Sequence, residues 1–110
     1  MKLNHIHIRV RDLAGALAWL DRIWAVKPSF QNERMASVSL DPIVLIVEKS
    51  DKETDTIIGF ESDDCDRDFH RLVERGAVAD AEPSDKPWGA RTAYIKGPGA
   101  LKFEIEALIK

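Results

Sequence analysis

The sequence predicts an α+β protein made of two tandem βαβββ modules, and three observations carry that prediction. Leu3 to Val10 alternates Ile6, Ile8 and Val10 with His5, His7 and Arg9, the period-two pattern of a strand with one packed face. Asp12 then stands where a helix cap belongs, and Ala16, Leu17, Leu20, Ile23 and Trp24 recur at helical spacing before Pro28. Thirdly, the chain repeats itself. A shift of 52 lays His5 on Ile57, Asp12 on Asp64, Leu17 on Phe69, Leu20 on Leu72 and Ala25-Val26 on the identical pair Ala77-Val78. A shift of 56 lays Pro42 on Pro98, Leu45 on Leu101, Val47 on Phe103 and Glu48 on Glu104.

Each element follows in order. After the first helix come short strands at Ser29 to Glu33, Met35 to Leu40 and Ile43 to Glu48, with Asp41-Pro42 as the turn between the last two. Lys49 to Asp55 has no apolar residue and reads as a linker inside a single domain spanning 1–110, with modules at 1–50 and 54–110. Thr56 to Glu61 opens the second module as a strand, and Asp63-Asp64 caps a helix with Cys65, Phe69, Leu72 and Val73 on one face. Gly76 stops that helix. Strands then fit Val78 to Ala81, Thr92 to Lys96 and Leu101 to Leu108, separated by the loop Pro83 to Ala90 and the turn Gly97-Pro98-Gly99.

Composition narrows the partners. The chain has 110 residues, 45% hydrophobic and 32% charged, enough for one ordinary core. Its net charge of −3 supplies no basic surface for a phosphate backbone, which speaks against nucleic acid. Cys65 is the only cysteine, so no internal disulfide or multi-cysteine zinc site is expected. The alternating N-terminus is neither signal peptide nor membrane span, and the expected location is the reducing cytoplasm.

His5…Val10-Arg11-Asp12-Leu13 at the start, Trp88-Gly89-Ala90-Arg91 before the last strands and Gly97 to Glu104 at the end resemble the glyoxalase/bleomycin-resistance/extradiol-dioxygenase family, the vicinal oxygen chelate superfamily. The resemblance spans essentially the whole chain. It implies that the modules form a curved mixed sheet, a cup with the helices on its outer face and the ligand or metal inside. Ile6, Ile8, Val10, Ile58, Phe60, Leu101, Phe103 and Ile105 would then face the helices. His5, His7, Arg9, Ile57, Gly59, Glu61, Lys102, Glu104 and Glu106 would face the cup. It further implies that His5 and Glu104 occupy metal-ligand positions, and that copies of the chain pair as a homodimer.

The chain departs from the metal-binding pattern at Ile57, where family members that do metal chemistry usually carry a second histidine. Trp24 stands where a glycine commonly ends the first helix. His5, Glu48 and Glu104 remain as a candidate set for Ni, Mn, Fe or Zn, with Glu104 the catalytic candidate if the chain is an enzyme. The bland counterpart is a strand histidine with an ordinary hydrogen bond and two rim glutamates. His7 lies ~7 Å further along the strand than His5, which favours cup lining over a shared ion. His7, Arg9, Lys102, Glu61 and Trp88 complete the candidate ligand-binding residues; cross-strand pairing, or for Trp88 packing on the sheet, is the alternative. Cys65 is expected to pack in the core and His70 to lie on the surface.

Two functions of different class follow. One is a small-molecule-binding protein like the bleomycin-resistance branch, sequestering an antibiotic or other ligand with no required metal. The other is a metal-dependent lyase or isomerase related to glyoxalase I. A module that kept the fold and lost the site is the third, blander possibility.

Overall fold

The computed structural model describes residues 1–52, 56–98 and 100–110. Its elements are β1 (Lys2–Val10), α1 (Leu13–Trp24), β2 (Phe30–Gln31), β3 (Met35–Leu40), β4 (Ile43–Lys49), β5 (Thr56–Glu61), α2 (Cys65–Glu74), β6 (Ala79–Lys86), β7 (Ala90–Lys96) and β8 (Leu101–Leu108). The order is βαβββ twice over, and the class is α+β with mixed strand pairing. Two compact units divide the chain: His5–Thr56, and Met1–Asn4 with Ile57–Lys110, so the first residues of β1 group with the second module.

In the first module the strand order is β2-β3-β4-β1. β1 runs parallel to β4, and β3 is antiparallel to both β2 and β4. Leu13, Leu17 and Leu20 of α1 pack on Ala36, Val38 and Val47, with Ile8, Val10 and Leu45 at the margin. This is the helix-facing side that the alternation of β1 demands. Asp12 caps α1 by accepting from the Gly15 backbone N–H at 2.9 Å. Ile23 and Trp24, expected on the buried stripe, are 54% and 63% exposed, because the helix axis leaves only the Leu13-Leu17-Leu20 row over the sheet.

α1 also ends sooner than Pro28 requires. Ala25 takes the left-handed conformation, φ 55°, and its N–H closes on Asp21 O at 3.0 Å, so a non-glycine residue performs the turn that glycine usually makes. The strand expected over Ser29 to Glu33 shrinks to Phe30–Gln31. Asn32 is the reason: its Oδ1 accepts from the backbone N–H of Arg34 at 2.8 Å and Met35 at 2.9 Å, forming a side-chain turn that ends the strand.

In the second module the order is β5-β8-β7-β6, with β6–β7 and β7–β8 antiparallel. Cys65 and Phe69 of α2 pack on Ala93, Ile95, Ile105 and Ala107, with Leu72 and Phe103 alongside. Phe60 meets Phe103 with ring centroids 6.0 Å apart, which puts it on the helix-facing side as expected. Val73, expected on the packed face, is 38% exposed. Asp64 caps the helix through Arg67 N–H at 3.1 Å, and Gly76 follows its end with φ 104°.

β6 corrects the sequence reading. It runs through Pro83 to Lys86, expected to be loop, and leaves only Pro87–Gly89 as the turn. A strand at the end of the order needs no donor on its outer side, so Pro83 is tolerated, and two register shifts absorb the irregularity. The linker also loses residues to the first module. Lys49 ends β4, Ser50 N–H bonds Val10 O at 2.9 Å, and Arg11 Nε bonds Asp51 O at 3.1 Å. Glu53, Thr54 and Asp55 of the linker, and Gly99 of the Gly-Pro-Gly turn, lie outside the described residues.

Candidate functional site

The first module turns His5, His7 and Arg9 away from α1, on the same side as Val44, Ile46 and Glu48 of β4. The parallel register sets Arg9 beside Glu48 and His7 beside Ile46, and His7 reaches diagonally to the carboxylate: Nδ1 lies 2.6 Å from Glu48 Oε1. Side-chain exposures of 17% for His7 and 33% for Glu48 place this hydrogen bond under partial cover. With Glu48 ionised, Nδ1 carries the proton and Nε2 the lone pair. His5, buried, turns its ring onto His7 in an edge-to-face contact with centroids 4.9 Å apart. Strand spacing had kept the two histidines ~7 Å apart; their rings lean together and close that gap.

Glu48, a candidate metal ligand by sequence, is thus the carboxylate behind His7. An imidazole whose far nitrogen is held by a carboxylate is the arrangement found around metal-binding histidines, where the carboxylate fixes the tautomer and raises ligand basicity. The residues of β1 fit a divalent ion of the Ni, Mn, Fe or Zn kind.

In the second module Glu104 is the best buried of the candidates, at 2% exposure. It projects from β8 on the side opposite Phe103 and Ile105, directly across from Tyr94 of β7, whose hydroxyl donates to Glu104 Oε2. Lys102 Nζ lies 3.3 Å from Asp80 Oδ2, so this member of the expected basic strip is paired across strands. Glu61 is exposed at the end of β5, and Trp88 sits 63% exposed in the turn between β6 and β7, which removes the expectation that it anchors the loop by packing. Ile57 is buried at 6% exposure.

Sequence reasoning missed Tyr94, although a signal existed. Lys96 pairs with Lys102 across the Gly-Pro turn, and counting back two residues on each strand sets Tyr94 opposite Glu104. It also missed the work of Arg91, the arginine of the Trp-Gly-x-Arg stretch. Its Nε bonds Asp66 of α2 at 3.0 Å and its Nη1 bonds Asp85 of β6 at 2.9 Å, tying helix to strand. Cys65 behaves as expected for a core thiol: burial, with Asp66 adding to it, pushes its pKa up to about 11, and no reactive thiolate forms near neutrality.

Two βαβββ modules whose helix-averted strand faces carry histidine and glutamate define the class. The chain belongs to the Glyoxalase/Bleomycin resistance protein/Dioxygenase superfamily, whose sequence model matches residues 2–105. No curated protein matches it in sequence. Solved structures of similar fold include a hypothetical protein from Bacillus halodurans, 16% identical with TM-score 0.76, covering 99% of this chain and 95% of that one. Another is a Streptomyces coelicolor methylmalonyl-CoA epimerase in complex with 2-nitronate-propionyl-CoA, 17% identical with TM-score 0.75, covering 100% and 99% respectively. Among the described residues no helix is long and apolar enough to cross a membrane.

Proposed function

We propose that this protein is a metal-dependent lyase or isomerase acting on a small molecule, with His5 and His7 supplying imidazole ligands and Glu104, by the family resemblance alone, the carboxylate. The observation that carries the reading is the His5–His7 pair, with ring centroids 4.9 Å apart and Glu48 held on His7 Nδ1. His7 thereby provides the second imidazole whose family position is filled by Ile57. Glu104 enters on the resemblance of Gly97 to Glu104 to the family's ending, and its burial suits a group that holds a cation rather than one that meets solvent. When bound, a divalent ion supplies Lewis-acid polarisation of substrate oxygens. Glu48 orients His7 and sets which nitrogen carries the proton, and Glu104 is the proton acceptor at carbon.

A second reading is a metal-free binder that sequesters a drug-like ligand, and Ile57 favours it. An apolar side chain at 6% exposure stands where a ligand belongs in metal-using relatives. Elemental analysis of the native protein separates the two. The first reading expects a stoichiometric divalent ion that His5→Ala and His7→Ala each remove. A chain free of metal after growth with Ni, Mn, Fe and Zn overturns it and leaves the binder, whose ligand is then sought by mass spectrometry of what co-purifies. Under either reading the chain works in the cytoplasm as a homodimer, an expectation from the family that sedimentation tests; a monomer contradicts it.

A further inference from the structure

The two modules carry matched glutamates, Glu48 on β4 and Glu104 on β8, related by the 56-residue shift. They are held from opposite sides. Glu48 takes its contact from β1, through His7, while its partner in register on β3 is Met35, which has no proton to donate. Glu104 has no such option on β5, because the 52-residue shift puts Gly59 where the first module has His7. A contact comes from β7, where Tyr94 stands directly opposite and donates its phenol hydroxyl.

We propose that Tyr94 is the positioning residue of Glu104: the phenol clamps one carboxylate oxygen and so aims the group at a bound divalent cation. This rests on the metal reading above. The choice of a phenol matters chemically. Imidazole can take up a second proton and become a cation beside the carboxylate it touches. A phenol donates while staying neutral, so it restricts the rotation of Glu104 without bringing a charge of its own. A carboxylate at 2% exposure held by a neutral donor is poised to meet a cation. The first module therefore orients an imidazole with its glutamate, and the second orients its glutamate with a phenol.

Tyr94 is the only tyrosine in the chain, which gives a single-site probe. In protein labelled with carbon-13 at the oxygen-bearing ring carbon of tyrosine, one signal is expected. Glu104→Gln should move that signal. Adding Zn²⁺ should move it in the wild type and leave it in place in Glu104→Gln. Tyr94→Phe should weaken Zn²⁺ binding, read by calorimetry, by about 10- to 100-fold, as losses of partners behind metal ligands do. The same variant should keep the wild-type circular dichroism spectrum. An unchanged signal in Glu104→Gln, or wild-type Zn²⁺ affinity in Tyr94→Phe, overturns the proposal. If Glu104→Gln does not fold, the Zn²⁺ affinity of Tyr94→Phe decides alone. If the wild type takes no Zn²⁺, the metal reading and the aiming role both fall, whereas the Glu104→Gln signal still reports whether the phenol holds the carboxylate.

Discussion

The first module closes α1 with a left-handed alanine and lines the helix with leucines; the second ends α2 ahead of a glycine and buries a carboxylate beneath it. Asp68, 2% exposed, accepts from the Ser62 hydroxyl at 2.5 Å and from Arg67 Nε at 3.3 Å. The 52-residue shift sets Ala16 at that place in the first module, half-buried against the leucine core. One plan thus tolerates an apolar and a polar solution at the same helix position, provided the polar one is fully bonded. What the modules share is the assignment of faces, with the helix side apolar and the glutamates Glu48 and Glu104 on the averted side. They diverge wherever a side chain needs a partner.

Substitutions break or sharpen that contrast. The largest expected effect is in the second core: Ile105→Ala, at a site with 0% exposure, should lower stability by about 2–5 kcal/mol in denaturant titrations. Leu20→Ala in the first core, at 7% exposure, should fall in the lower part of that range. Equal losses would mean that the two cores are packed alike.

Asp68→Ala, which makes the second helix resemble the first, should cost about 1–3 kcal/mol because the Ser62 hydroxyl loses its partner. The same carboxylate adds a pH dependence. Burial pushes its pKa up, but the Ser62 hydroxyl and the Arg67 guanidinium outweigh that and hold it below the ordinary 3.8. A group depressed on folding stabilises above its unfolded pKa and loses that contribution as pH falls through the folded value. Acid titration of stability should therefore fall less steeply below about pH 4 in Asp68→Asn than in the wild type. Identical slopes would remove Asp68 from the account of acid sensitivity.

Asp12→Ala deletes the cap of α1 and should cost about 1 kcal/mol. Smallest, and of opposite sign, is Ala25→Gly. At φ 55° a glycine avoids the crowding that Cβ brings, so the variant should match or exceed wild-type stability by about 0.5–1 kcal/mol. A clear loss would show that the Ala25 methyl contributes packing.

Much of this was legible in the sequence because alternation and helical spacing record which face is buried. The parity of β1, with Ile8 and Val10 toward α1 and His5 and His7 away, follows from period two alone, and Asp12 and Asp64 announce the helix starts. Boundaries were less legible where local bonding intervened. Asn32 cuts β2 short with its side chain, and Pro83 does not stop β6 because that strand pairs on one side only. The residues of the candidate site were largely named from the resemblance, but their contacts were not. His7–Glu48 is a diagonal across a parallel pair, and Tyr94–Glu104 depends on a hairpin register that composition does not display.

The central claim is that β1 presents a metal-ready imidazole pair backed by Glu48. Elemental analysis of the purified wild type beside His7→Ala tests it most directly. The account predicts a stoichiometric divalent ion in the wild type and its loss in His7→Ala. A wild type without metal, or a His7→Ala variant that retains it in full, contradicts the account.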